Sequence, residues 1–267
     1  SNILNESGYK VKYHHHETGA NQHEIEVGEM DALLAADFCI YFKYIAKEIA
    51  KNNDIKVTFM PKPFSDDAGS GMHIHISLYK NGKNVFYDEN DEYGLSKIAK
   101  FFIGGILHHA RGISLLANPT VNSYKRLVPN FEAPVYIAWG RYNRSTLIRI
   151  PAKKNIDIEI RNGDPSANPY TFFSAVIYAG MDGIKNKIEY EPIEEDIYRM
   201  DKDEILKRKI KRLPSTLLEA IEEFEKDEII MNAIGEASHL IIERKRKEWH
   251  EYMTEVNPAD YKFYIDC

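Results

Sequence analysis

Cysteine is almost missing from this chain: two residues in 267, Cys39 and Cys267. Two thiols cannot build a disulfide framework, so stability must come from a packed core, and a reducing compartment, the cytoplasm, is the expected setting. Long apolar runs are also lacking. No stretch approaches the roughly 18 residues that a membrane span needs, and the first residues carry no signal-peptide pattern. Positive charge is not in excess either. The 35 Lys and Arg against 41 Asp and Glu leave a formal net charge of −6, which removes any general attraction to nucleic acid or to an anionic membrane. Neither GxxxxGKS/T nor GxGxxG occurs, so any bound phosphate must be held by cations and not by a glycine-rich loop. Internal repeats and low-complexity segments are absent.

What the chain does have is pattern. Its 43% hydrophobic and 28% charged residues supply a proper core for one large domain or two modest ones. After Gly69-Ser70-Gly71-Met72 the sequence alternates strictly: Ile74, Ile76 and Leu78 share one strand face, and His73, His75 and Ser77 the other. Residues 156–161 repeat the device, with Ile156, Ile158 and Ile160 alternating with Asp157, Glu159 and Arg161. Such polar faces either meet water or line a pocket. Two imidazoles in register with a hydroxyl favour the pocket, because wet strand faces prefer Thr, Lys and Glu. Upstream, residues 9–17 read as a strand with Tyr13, His15 and Glu17 on one face, and 23–28 as another. A hairpin return through Gly19-Ala20-Asn21 would bring the carboxylates of Glu17 and Glu24 together.

The remaining elements follow in order. Asp31 caps a predicted helix to about Asn52, with Leu34, Phe38, Phe42, Ile45 and Ile49 as its buried stripe. Residues 55–60 read as a strand with Ile55, Val57 and Phe59 inward, and Asn81-Gly82 marks a hairpin. A helical block at 94–117 precedes a long irregular stretch, 118–144, of the kind that is usually functional. Strands at 145–151 and 156–161, a helix at 168–187 and a charged, solvated segment at 194–213 come next. Helices starting at Pro214-Ser215 and spanning 236–254 complete the chain. Strands concentrated in 9–161, with helices between and after them, give an α+β fold. Residues 194–267 form the helical C-terminal part of a single domain, 1–267.

Pooling the polar faces collects Glu17, Glu24, His73, His75 and Glu159 with Arg126, Arg144, Arg149 and Arg161. Carboxylates with imidazole, and no thiolate, are ligands for Mg²⁺ or Mn²⁺. Crowded carboxylates repel unless they are exposed or share a cation. Arginines beside them suit bidentate capture of phosphate or carboxylate. Divalent cation, phosphate and carboxylate together describe nucleotide-driven activation of an acid.

The segments HHHETGANQHEI, FMPKPFSDDAGSGMHIHISL, NPTVNSYKRLVPNFEAP, NRSTLIRIP and IEIRNGDPSANPY occur in the order and spacing of the type I glutamine synthetase family. From about residue 9 to its end the chain resembles that family's catalytic domain. The resemblance implies a largely antiparallel curved sheet forming half of a funnel, covered by helices. ATP would enter one mouth and glutamate the other, with two divalent cations, Mg²⁺ or Mn²⁺, at the waist. The γ-carboxylate would be phosphorylated, and ammonium would then displace phosphate to give glutamine. By motif, Glu17 and Glu24 would hold one cation, and His73 and Glu159 the other. His75 and Ser77 would lie near the nucleotide phosphates, Gly69, Arg126 and Arg161 at glutamate, and Arg144 and Arg149 at the transferring phosphoryl group and ATP. Glu132 would shield the acyl phosphate and help bind ammonium. The resemblance also implies a homododecameric parent of two stacked hexameric rings, with no nucleic-acid or membrane partner.

Three departures from the family pattern carry consequences. Ala68 stands where the family usually has an Asn that helps hold the α-amino end of glutamate, and Asp157 where it commonly has Arg. With Asp66 and Asp67, Asp157 offers a reception for a cationic amine, so a γ-glutamyl ligase for a polyamine or monoamine is the enzyme alternative. A non-catalytic, synthetase-like assembly protein is the alternative from another class. Thirdly, the family's small β-rich domain and a Glu-x-Glu strand lie upstream of the first motif. The expectation is a C-terminal catalytic-domain fragment with two protein ligands per cation, binding ATP and Mn²⁺ weakly by itself. Tyr198 falls where some bacterial relatives are adenylylated and is expected to be a plain surface tyrosine.

Overall fold

A computed structural model describes residues 1–129, 133–151 and 156–267. A short helix α1 (Asn2–Glu6) leads into the antiparallel hairpin β1 (Val11–His16) and β2 (His23–Val27), then helix α2 (Ala32–Asn52). Strand β3 (Ile74–Ile76) and the small hairpin β4 (Tyr79–Lys80) and β5 (Lys83–Asn84) follow. The expected turn is present between β4 and β5, with Asn81 at φ 53° and Gly82 at φ 74°. Helices α3 (Lys97–His108), α4 (Ala110–Ala117) and α5 (Val121–Arg126) precede strands β6 (Tyr136–Arg141), β7 (Thr146–Ile150) and β8 (Ile158–Ile160). Helix α6 (Pro169–Asn186), capped by Asn168, is followed by α7 (Lys202–Lys207), the short β9 (Lys211–Arg212), α8 (Leu217–Lys226), α9 (Glu228–Ile234), α10 (Ala237–Thr254) and α11 (Pro258–Tyr264).

The main sheet has the order β3-β8-β7-β6-β9. Every pairing in it is antiparallel except β6 with β7, and the β1–β2 ribbon forms a sheet of its own. An α+β architecture with an open, mostly antiparallel sheet is therefore what the chain adopts. One face of the sheet is apolar for the reason the alternation gives. Ile156, Ile158 and Ile160 are buried, and Ile74, Ile76 and Leu78 pack against the same core, which joins them to Phe102, Ile106, Phe172, Val176 and Phe224 of the helices. Helices α3 and α6 back this face at close range. A Cβ on Gly105 would lie 2.0 Å from the carbonyl oxygen of Ala179, so only glycine permits the crossing. The other face of the sheet is left to the polar residues.

Four expectations are corrected. Residues 55–60 belong to no helix or strand, and Ile55 and Val57 are exposed. Alternation specifies a face, whereas a strand needs a neighbouring ladder, and no described strand runs beside them. Of the α2 stripe only the middle is covered. Phe38 is buried against Tyr9 and stacks on Phe42, which meets Phe59, while Leu34 and Ile49 lie outside because the helix overruns the patch it covers. The supposedly irregular stretch 118–144 contains α5, started by a Thr120/Ser123 capping box, and the buried strand β6. Tyr198 is no plain surface residue: it is half-buried, and its hydroxyl donates to the carbonyl of Ala133 at 2.7 Å.

Candidate functional site

The polar face of the sheet is built by the register of β3 on β8, which sets His75 opposite Glu159. His73, just before β3, and His75 within it each lean diagonally to a carboxylate two residues out of register. His73 Nδ1 lies 3.2 Å from Glu159 Oε1, and His75 Nδ1 lies 3.2 Å from Asp157 Oδ1. Ser77 continues the row by donating to Glu29 Oε1 at 3.1 Å. From the far side, the β7–β8 register places Arg149 opposite Glu159, where its Nε ion-pairs with Oε2, and Arg161 Nε stands 3.8 Å from Oε1. Burial of Glu159 opposes its ionisation, but His73, Arg149 and Arg161 outweigh it and hold its pKa at about 2. The His73 ring is partly open to solvent and hemmed in by Glu159, Arg161 and Arg126. Desolvation lowers its pKa, and the guanidinium groups of Arg161 and Arg126 push the same way against Glu159, favouring the neutral imidazole that ligates a metal.

Two glycines make room for an arginine beneath this row. A Cβ on Gly69 would fall 2.6 Å from the Pro61 carbonyl oxygen and 2.7 Å from Arg126 Cγ. One on Gly71 would fall 2.7 Å from Arg126 Nη2 and 2.9 Å from His73 Nε2. Arg126 is thus buried directly under Gly69-Ser70-Gly71. Its Nη1 donates to the Asn162 carbonyl at 2.8 Å and its Nη2 to that of Arg161 at 3.3 Å, and desolvation lowers its pKa to about 10. Arg161, also buried, donates through Nη1 to the Arg144 carbonyl, while its Nε has no hydrogen-bond partner among the described residues. Arg144 itself is exposed on the return between β6 and β7. Asn143 ties that return down, donating to the carbonyls of Ile193 and Glu195 at 2.7 and 2.9 Å. Glu132, expected to shield an acyl phosphate, lies outside the described residues.

The β1–β2 hairpin brings the remaining ligands. Its register pairs His15 with Glu24, and the ladder runs on through Glu17 N to the Gln22 carbonyl at 2.8 Å. As a result His15, Glu17 and Glu24 each offer a ligand atom within 4.8 Å of the others. His15 Nε2 is 3.0 Å from Glu17 Oε1 and 3.9 Å from Glu24 Oε2. Glu24 is pushed up to about 7, first by burial and then by the hydrogen bond and charge of Glu17; Glu17 is drawn down to about 2, chiefly by that same bond. Two carboxylates sharing one proton are pressed together as a divalent cation would allow. The charge of Glu159 also raises Glu24 and Tyr13, so hairpin and sheet face one another electrostatically. The hairpin is clamped at its tip, where Asp67 Oδ2 accepts from Ala20 N at 2.7 Å and Gln22 Nε2 donates to the Gly69 carbonyl at 3.0 Å.

His15 is the site residue that sequence reading passed over. Its signal was present, since it shares a strand face with Glu17, but only the hairpin register reveals that it also sits opposite Glu24. Three carboxylates and two imidazoles without a thiolate are a donor set that fits Mg²⁺ or Mn²⁺: Glu17, Glu24 and His15 in one group, Glu159 and His73 in the other.

A family profile described as glutamine synthetase, catalytic domain, matches residues 1–264. The glutamine synthetase of Pyrococcus abyssi is 51% identical over 242 residues, 90% of this chain and 54% of that protein. That of Thermus thermophilus is 44% identical over 268 residues, 99% of this chain and 60% of that protein. Among solved structures, a GmaS/ADP complex superposes with a TM-score of 0.92 at 33% identity, covering 100% of this chain and 62% of the other. Plasmodium falciparum glutamine synthetase superposes with a TM-score of 0.87 at 30% identity, covering 98% and 60%. The chain therefore spans a little over half the length of these relatives.

Proposed function

The chain belongs to the glutamine synthetase family, whose catalytic-domain profile covers residues 1–264, and from this membership we propose that residues 1–267 are the catalytic domain of an ATP-dependent glutamate–ammonia ligase. Its reaction activates the γ-carboxylate of glutamate as an acyl phosphate and passes the acyl group to ammonia, giving glutamine. The observations that support this reading are the cluster of His15, Glu17 and Glu24 on the hairpin, the pairing of His73 with Glu159 at the sheet, and the influence of the Glu159 charge on Glu24. Divalent cations held there would neutralise the nucleotide phosphates and disperse charge on the transferring group.

The chain's own residues support the other parts of the reaction. Arg126, held below Gly69 and Gly71, and Arg161, held on the Arg144 carbonyl, provide fixed positive charge for the carboxylate substrate. Arg149, paired with Glu159, and the exposed Arg144 suit ATP and the transferring phosphoryl group. His75 and Ser77 line the same row toward the nucleotide, and a GmaS/ADP complex of the same fold supports a nucleotide in this architecture. Glu132 completes the set as the residue guarding the acyl phosphate. The ligase for a larger amine draws less support, because Asp67 is spent on the backbone of Ala20 and Ala68, and Asp157 on His75. Glutamate, ammonium and ATP are thus the partners, with a homododecameric parent in the cytoplasm. Among the described residues, no helix is long and apolar enough to cross a membrane.

A Mn²⁺ titration followed by electron paramagnetic resonance, combined with phosphate release coupled to ammonium, putrescine and ethanolamine in turn, tests the proposal. Saturable Mn²⁺ uptake and fastest turnover with ammonium are expected. Absence of Mn²⁺ binding, or faster turnover with either organic amine, would overturn it.

A further inference from the structure

Gln22 stands at the tip of the β1–β2 hairpin, between Glu17 and Glu24 in the chain. Its backbone carbonyl accepts from Glu17 N at 2.8 Å, and its backbone N donates to the Gly19 carbonyl at 3.0 Å. The side chain works in two directions. Oε1 accepts from Gly19 N at 3.0 Å and closes the turn. Nε2 crosses to the glycine loop, donating to the Gly69 carbonyl at 3.0 Å and to Ser70 Oγ at 3.3 Å. A backbone N–H can only donate and a carbonyl can only accept, so these partners fix which way the amide points.

The link matters because the hairpin is a sheet of its own. A two-stranded ribbon is marginal by itself, and its place depends on what ties it down. The loop it reaches is closely seated: Ser70 N donates to the Pro61 carbonyl at 2.8 Å, and Gly69 lies against that carbonyl and Arg126. A cation that orders Glu17 and Glu24 therefore orders Gln22 between them, and with it the Gly69 carbonyl. A ligand arriving at the loop then meets a segment already ordered and loses less conformational entropy on binding.

We infer that Gln22 is a positioning residue that couples the two halves of the site, so that a divalent cation on the hairpin and glutamate at the glycine loop each strengthen the binding of the other. The coupling rests on the proposed reading of Glu17 and Glu24 as cation ligands and of Gly69 and Arg126 as glutamate neighbours; the hydrogen-bonded link does not.

The test measures Mn²⁺ affinity of the 267-residue chain by electron paramagnetic resonance with and without saturating L-glutamate, and glutamate affinity by calorimetry with and without Mn²⁺. Linkage requires the two affinity ratios to be equal, and the wild type is expected to show mutual strengthening of about fivefold or more. Gln22→Met removes both side-chain links. Gln22→Glu keeps an acceptor for Gly19 N, but its carboxylate has no hydrogen for the Gly69 carbonyl. Both variants are expected to bring the ratio close to one. A merely structural role would weaken the two affinities and leave their ratio unchanged. Hydrogen exchange on the same samples should be about fivefold faster at Ser70 N in both variants, the scale of one net hydrogen bond, and faster at Gly19 N in Gln22→Met alone. A wild type that binds either ligand without coupling to the other overturns the inference, and so does a ratio unchanged in Gln22→Glu. If the wild type binds neither ligand, the proposed function falls and the coupling with it, while exchange at Ser70 still decides whether Gln22 holds the loop.

Discussion

Glu159 is the residue on which most of the site leans, since His73, Arg149 and Arg161 all reach its carboxylate. Glu159→Gln keeps the shape and removes the charge, leaving two guanidinium groups without their anion. A loss of about 2–3 kcal/mol in urea unfolding is expected, because breaking a buried pair costs more than an exposed one. The pH sense follows from the depressed pKa of about 2. The contribution is complete above the unfolded-state value, about 4.3, and is lost as pH falls from there toward 2. The wild type should therefore lose stability in that acid window faster than Glu159→Gln. His15→Ala should weaken Mn²⁺ binding by roughly tenfold, on the scale of other lost metal-site interactions, and unchanged binding would remove His15 from the ligand set. At this scale the sequence exposed chemistry better than role. Alternation displayed His73, His75 and Glu159, but Arg126 is locked onto carbonyls by the close approach of Gly69 and Gly71, and the spending of Asp67 on the hairpin tip joins residues 47 apart. Neither contact has a local signature.

Between elements, the join of α3 and α4 is held by His109, whose ring lies within 2.8 Å of Asp227 and 3.2 Å of Asp182. Asp227 also caps α9 by accepting from Ile230 N at 3.2 Å, so the one imidazole connects the α3–α4 join to α6 through Asp182 and to α9 through Asp227. Burial of His109 works against its protonation, but Asp227 and Asp182 outweigh that and raise its pKa. A raised histidine contributes its full stabilisation below the unfolded value, about 6.5, and loses it as pH climbs through the folded one. Thermal unfolding should therefore show the wild type losing stability from pH 6.5 upward, and His109→Gln a flatter profile; parallel profiles would count against the lock. Asp227→Ala, which removes pair and cap together, should cost about 2–3 kcal/mol. Long periodic elements such as α6 and strands with clean alternation such as β8 were legible from sequence. The failures have a common cause. Residues 55–60 carry a strand's pattern without a strand's partner, and β6 hides in a continuous apolar run whose period cannot separate strand from helix.

For the whole molecule, the core and the site leave apolar surface over. Helix α11 buries none of its residues, and Tyr261, Phe263, Tyr264 and Ile265 are 60–70% exposed. A second exposed group, Leu33, Tyr44 and Phe64, lies on α2 and the segment after it. Isolated exposed apolar side chains are ordinary, but four within five residues at one end are what an assembly would cover. Because none of them contributes to the core, stability and association can be separated. Removing residues 257–267 should change unfolding free energy by no more than about 0.5 kcal/mol, whereas sedimentation velocity should shift to smaller species than the untruncated chain forms. If the truncated chain unfolds early, the tail belongs to the fold and not to an interface. If its sedimentation is unchanged, the contacts of the proposed rings must lie elsewhere, with the α2 group the next to substitute. Mn²⁺ adds an internal control, since an ion that binds the folded state alone raises the melting temperature with concentration. That rise should survive the truncation, because the proposed ligands His15, Glu17, Glu24, His73 and Glu159 all precede the tail.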